Sequence, residues 1–185
     1  MSALTTYSEN QTLPVVTTRD FDNIAANLSR IGVQFERWQA ERQFSDDAKP
    51  QEIIDAYQSS IDKLKLQYGF QSVDVISLKA DHPNKDELRQ KFLSEHIHSD
   101  FEVRFFVEGR GLFYLHIVDT VYAVLCEQGD LISVPGGTLH WFDMGEYPNF
   151  KCIRLFTTPD GWIAEFTGNP IAEKFPTLDQ YLLQE

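Results

Sequence analysis

Up to about residue 95, apolar residues recur mainly at helical spacing, whereas from Glu102 onward they fall into short β-rich runs. In DFDNIAANLSRIG, Phe21, Ile24, Ala25, Leu28 and Ile31 form one stripe, with Asp20 placed to cap the first turn and Gly32 placed to close the last. That spacing predicts a short amphipathic helix. A longer one is predicted from Pro50 to Tyr68, where Pro suits a first turn, Ile53, Ile54, Tyr57, Ile61, Leu64 and Tyr68 share a face, and Gly69 ends it. A third, Asn84 to Leu93, is charged apart from Leu88, Phe92 and Leu93 and leads directly to His96. VDVISL, residues 73–78, reads as a strand.

The later runs are EVRFFVE, GLFYLHI, VYAVLCE, DLISVP, LHWFD and CIRLF, separated by GRG, VDT, QGD, GGT and a Gly-Glu-Tyr-Pro-Asn stretch. Strands so closely spaced predict an antiparallel barrel or jelly roll. The fold class expected is mainly β with flanking helices. A single domain spans 1–185, with a helical part over about 1–95, a barrel core over about 73–168, and a tail from Asn169 that reads only as a docking segment.

Composition excludes several functions. The length of 185 residues suits one core. A hydrophobic share of 42% with 24% charged residues is that of a globular protein. A formal charge of −12 with no basic cluster disfavours nucleic acid and anionic membranes, and no apolar run approaches a spanning helix. The start MSALTTYSEN has no secretory pattern, so the cytoplasm is expected; the acidic charge leaves a small molecule as the expected partner, and a monomer is expected. Cys126 and Cys152 have no C-x-x-C partner and read as reduced core thiols.

The candidate chemistry lies in SEHIHSDFEVRFFVEGRG, residues 94–111, and GDLISVPGGTLHW, residues 129–141. Strand side chains alternate faces, so in extended backbone His96, His98 and Glu102 point one way, followed by Arg104 and Phe106. His140 shares its face with Phe142, and a hairpin-rich barrel can bring it alongside the first group. An H-x-H pair alone is more often unremarkable than metal-binding. Three histidines and a carboxylate, however, suit iron, nickel or manganese rather than thiolate chemistry. Four protein ligands would close a tetrahedral zinc, whereas a six-coordinate ion keeps two positions for a chelating substrate.

The spacing of these residues matches both motifs of the cupin superfamily, with Gln90 and Met144 as departures outside the ligand positions. FERW, DVISL, LSEHIHSDFEVRFFVEGRGLFYLHI, DLISVPGGTLHWFDMG and IRLFTTPDGWIAEFTG resemble the bacterial acireductone dioxygenases of methionine salvage, over residues 35 to 168. Gly136 stands where that family leads one to expect a small residue such as Ala. The resemblance implies one iron(II) or nickel(II) per chain, held by His96, His98, Glu102 and His140. It also implies the substrate acireductone, 1,2-dihydroxy-3-keto-5-methylthiopentene, cleaved by O2. Iron forms yield 4-methylthio-2-oxobutanoate and formate; nickel forms yield methylthiopropionate, formate and carbon monoxide.

Arg104 is the candidate catalytic residue, expected to touch the chelated substrate rather than the metal. Arg154 has the parity to line the same cavity, and Phe92, Phe142 and Trp162 are candidates to hold the methylthioethyl tail. His116 is expected at a strand end and His82 in a loop, neither as a ligand. The alternatives are another metal-dependent cupin enzyme, such as an isomerase or diketone-cleaving enzyme, and a non-catalytic metal-binding cupin. A regulator would add a helix-turn-helix and a basic surface, and neither is visible.

Overall fold

A computed structural model describes residues 1–184. In chain order its elements are β1 (Ala3–Ser8), β2 (Val16–Thr18), α1 (Phe21–Ser29), β3 (Gln34–Arg37), α2 (Pro50–Ala56), α3 (Gln58–Tyr68), β4 (Ser72–Lys79) and α4 (Lys85–Leu93). Then follow β5 (His96–Ile97), β6 (Glu102–Ile117), β7 (Thr120–Glu127), β8 (Asp130–Val134), β9 (Leu139–Asp143), β10 (Asn149–Phe156), β11 (Glu165–Phe166), a 3-10 turn (Pro170–Lys174) and α5 (Leu178–Leu183). No helix among the described residues is long and apolar enough to cross a membrane.

Every strand pair is antiparallel, and β6 belongs to two sheets at once. Its first half pairs with β10 and β8 in the order β4-β10-β6-β8-β3; its second half pairs with β9 and β7 in the order β11-β5-β9-β6-β7-β1-β2. The sheets meet at a corner that the strand turns without a loop. GRG, expected as a turn, is that corner. Gly109 has φ 73° there, and a Cβ on it would lie 1.9 Å from the Asn149 carbonyl oxygen, so only glycine fits. The register against β10 shifts at Lys151/Cys152, the extra residue of a bulge.

The bulge inverts side-chain parity. Before it, Glu102, Arg104 and Phe106 face inward while Val103, Phe105 and Val107 face outward beneath Ile53, Tyr57, Ile61 and Leu64 of the helical layer. After it, Phe113 and Leu115 face inward, and Leu112 and Tyr114 pack outward with Trp141 against Ile171, Phe175, Leu178 and Tyr181. The tail from Asn169 is therefore the cover of the second sheet's outer face, and a capping box between Thr177 and Gln180 starts its helix.

Asp20 caps α1 as its sequence predicts, accepting from the Asn23 backbone N–H, and Gly69 ends α3 in the left-handed region. The long helix of residues 50–68 is instead two. Tyr57 leaves helical geometry (φ −112°, ψ 12°) and sets its ring edge-on to Phe105, 5.2 Å between centroids. The break lets Ile53 and Tyr57 ahead of it, and Ile61 and Leu64 after it, all bury against the same twisted sheet. The first 95 residues are also less helical than their periodicity suggests: beside the expected strand β4, which pairs with β10, β1 pairs with β7 and β3 with β8. ALTTYS and QFER are too short for a period to show, and pairing partners far along the chain specify them.

Candidate metal centre

β5 and β9 pair so that His96 lies directly opposite His140, with ring centroids 4.3 Å apart. His98 follows one residue after β5, its ring 5.1 Å from that of His96 and 5.2 Å from that of His140. One nitrogen of each ring lies within 4.8 Å of the others. The extended backbone expected from His96 to Glu102 is not what joins them. Residues 98–101 leave the ladder and bend, and Glu102 re-enters as the first residue of β6. Its Oε2 then lies 3.5 Å from His140 Nε2 and 3.8 Å from His98 Nε2. The structure thus brings together all four residues singled out as ligands.

The rings are oriented from behind. Nδ1 of His96 donates to the Ser94 carbonyl (2.7 Å), Nδ1 of His140 to the Thr138 carbonyl (2.8 Å), and Nδ1 of His98 to the Ile163 carbonyl (2.9 Å). A proton on each Nδ1 leaves each Nε2 lone pair facing the common centre, the tautomer a metal requires. Burial disfavours the charged imidazole: His96, with its neighbour His140 adding to the effect, is pushed down to about 4, and His98 is also lowered. Burial would raise the carboxyl of Glu102, but the Arg104 guanidinium and the imidazoles outweigh it and hold it well below the usual range. Burial thus favours neutral rings at His96 and His98, and the neighbouring charge favours a carboxylate at Glu102.

Arg104 donates through Nε (3.2 Å) and Nη2 (2.7 Å) to the same oxygen of Glu102, Oε1. The guanidinium lies between two rings, 4.7 Å from the Phe113 centroid and 4.5 Å from that of Phe142. Three buried polar atoms here have no hydrogen-bond partner: Glu102 Oε2, His140 Nε2 and Arg104 Nη1. A buried carboxylate oxygen and an imidazole lone pair facing each other without a donor between them is costly, and a divalent cation satisfies both. The donor set therefore fits a bound metal ion. Two of the Arg104 donors also fix Glu102, a contact that the expected substrate role did not include.

Phe142 is buried beside Arg104, and Phe92 of α4 meets it edge-on at 6.1 Å, so these two candidates pack against each other near the site. Arg154 stands opposite Arg104 in the β10–β6 register, but its fork is taken by Asp74 of β4, through Nε at 2.9 Å and Nη2 at 2.6 Å. Trp162 is 52% exposed and lies next to the Ile163 that holds His98. Cys126 and Cys152 are free and buried in the core. His116 lies at the penultimate position of β6, between Glu95 (2.8 Å) and Glu9 (3.0 Å).

Three neighbours escaped the sequence reading. Phe113 lies on the wrong parity unless the corner is known. Phe156 and Phe166, both inside the string IRLFTTPDGWIAEFTG, bring their rings to 6.0 Å from His98 and 5.6 Å from His96, contacts that no local period shows.

The comparisons with known proteins agree with one another. A model of the ARD/ARD' family matches residues 4–164. The acireductone dioxygenase of Methylococcus capsulatus is 62% identical over 182 residues, 98% of this chain and 98% of that protein. The acireductone dioxygenase of Aquifex aeolicus is 58% identical over 180 residues, 97% and 98% of the two chains. Among solved structures, an acireductone dioxygenase from Bacillus anthracis with a cadmium ion in its active center aligns with a TM-score of 0.79 and 31% identity, covering 90% of this chain and 98% of that one.

Proposed function

The chain belongs to the ARD/ARD' family, and from that premise we propose that it cleaves acireductone with O2, using one iron(II) or nickel(II) held by His96, His98, Glu102 and His140. The observation that carries this assignment is the pair of unpartnered buried atoms, Glu102 Oε2 and His140 Nε2, facing each other among imidazoles already oriented to coordinate. A bound divalent ion supplies Lewis-acid polarisation and a template for the two oxygens of an enediolate.

The protein's own groups do the rest. Glu102 contributes one oxygen because Arg104 occupies the other. Arg104 Nη1, buried and without a partner, is a donor for an anionic substrate oxygen in a dry chamber. Phe92 and Phe142 exclude water and offer an apolar surface to the thioether tail. Arg154 and Trp162 line the approach to the chamber. All four ligands come from one chain, which supports a monomer as the working unit, and the buried free thiols suit the cytoplasm.

The test is to strip the protein of metal and reload it separately with iron(II) and nickel(II). Iron should give O2 uptake with the ketoacid and formate, and nickel should shift the products to methylthiopropionate, formate and carbon monoxide. His98→Ala should lose metal and turnover together. Acireductone binding by both loaded forms without oxygen uptake above the uncatalysed rate would make this a binding protein of the same fold.

A further inference from the structure

The three imidazoles are not held in the same way. The carbonyls behind His96 and His140 belong to Ser94 and Thr138, each two residues back along the same chain segment. The carbonyl behind His98 belongs to Ile163, 65 residues away. The His98 backbone is fixed by a hydrogen bond from Gly137 N–H to its carbonyl (2.8 Å), but that bond leaves the ring free to turn about χ1 and χ2. Ring orientation at His98 therefore depends on where residues 157–163 lie.

The pairing of β11 with β5 holds the far end of that segment, and one side chain ties its near end to the ligand loop. Asp100, buried two residues beyond His98, accepts at Oδ1 from the Thr157 hydroxyl and the Phe101 N–H (2.7 Å), and at Oδ2 from the Thr158 N–H (2.8 Å) and hydroxyl (3.3 Å). The approach is so close that a Cβ on Gly161 would lie 2.5 Å from Asp100 Oδ2 and 2.9 Å from Phe156 Cβ. A carboxylate on the ligand loop is thus the clasp for the segment that carries both Trp162 and the carbonyl orienting His98. We propose that Asp100 is a positioning residue acting through residues 157–163 on His98, so that the grip on the metal and the placement of the Trp162 rim are set by one contact. This rests on His98 being a metal ligand.

The test titrates metal-free protein with cobalt(II) against a competing chelator, reading affinity and the visible absorption of the bound ion. Asp100→Ala should weaken cobalt binding about 10- to 100-fold, the usual consequence of losing an outer-shell partner, and change the cobalt spectrum. Asp100→Asn keeps the acceptor for Thr157 and Phe101 but turns an NH2 toward the Thr158 N–H, so it should recover part of the affinity. In a His98→Ala background, Asp100→Ala should add nothing, because its effect runs through the missing ring. Gly161→Ala, which pushes the segment off from the other side, should reproduce the loss and decides the matter if Asp100→Ala fails to fold. Wild-type affinity and spectrum in Asp100→Ala or Gly161→Ala, or a further loss on top of His98→Ala, overturns the proposal. Wild-type cobalt binding by His98→Ala itself would show instead that His98 is not a ligand.

Discussion

His96, His140, Glu102 and Arg104 stand on paired strands, while His98 and Asp100 stand on a bend between two of them. On the strand side each group is placed by a ladder. His96 is registered against His140, Arg104 is registered against Ile132 on one side and Arg154 on the other, and the bonds orienting the rings are local. On the loop side, apart from the Phe101 N–H on Asp100, the restraints are non-local: Gly137 to His98, Thr157 and Thr158 to Asp100, Ile163 to His98. A ladder fixes a side chain as soon as the sheet forms. A bend fixes it only when a second segment has docked, so the strand wall is preformed and the loop wall is conditional.

The largest change should come from breaking the strand wall at Arg104. Its two bonds to Glu102 Oε1 lie in a pair whose side chains are 4% and 2% exposed, and removing one partner of such a pair costs about 3–5 kcal/mol because a buried charge is left alone. Arg104→Ala should therefore destabilise the metal-free protein by that order and lower metal affinity about 10- to 100-fold. Arg104→Lys should recover only part, since an ammonium lacks the planar fork that bonds Oε1 twice while leaving Nη1 for substrate. Unfolding curves and cobalt titration check both. Full affinity with lost turnover in Arg104→Ala would return Arg104 to a purely substrate-binding role.

How much of this was visible beforehand follows the same division. The ligand quartet was legible because its spacing is short and its residue types are few, and the stripe with Asp20 ahead of it was legible because caps and helical period are local signals. Phe113 was not, because the bulge beyond Phe106 inverts parity, and no rule applied along EVRFFVEGRGLF shows that Gly109 bends a strand rather than ending it. Arg154 had the right parity, but its partner Asp74 lies 80 residues away in a strand that only the folded sheet brings alongside. Asp100 sits in the spacer of a metal motif, where attention goes to the ligands. Its partners lie 57 and 58 residues downstream, a distance over which no sequence period operates.

A smaller effect should separate the two arginines that face each other across β6 and β10. Arg154 is paired with Asp74, whose side chain is 44% exposed, so the ion pair is worth at most about 1 kcal/mol. Arg154→Ala should leave cobalt affinity unchanged and raise KM for acireductone by less than about tenfold, consistent with loss of about 1 kcal/mol of binding at the rim. A fall in kcat of about 100-fold at unchanged KM would instead place Arg154 at the reacting centre.

The smallest expected effect concerns a histidine behind the strand wall. Burial favours the neutral ring of His116, yet its bonds to Glu95 and Glu9, and their charges, outweigh burial and raise its pKa above the ordinary 6.5. This is opposite in direction to His96, which has burial and a neighbouring imidazole acting against its charged form. Because the folded state holds the His116 proton more tightly than the unfolded chain does, its contribution to stability is complete below 6.5 and is lost as pH rises through the raised value. Glu95 also accepts from the Thr167 hydroxyl at 2.6 Å and precedes His96, so the contribution falls where the chain enters the metal centre. His116→Gln should remove it. The thermal midpoint of the metal-free variant should lie below that of the unsubstituted protein at about pH 6, and the gap should narrow as pH is raised toward about 9, by about 2–4 °C for each kcal/mol the ion pair supplied. A gap that stays constant across that range would mean the ring is bound as a neutral hydrogen-bonding group, and that the two carboxylates do not hold it charged.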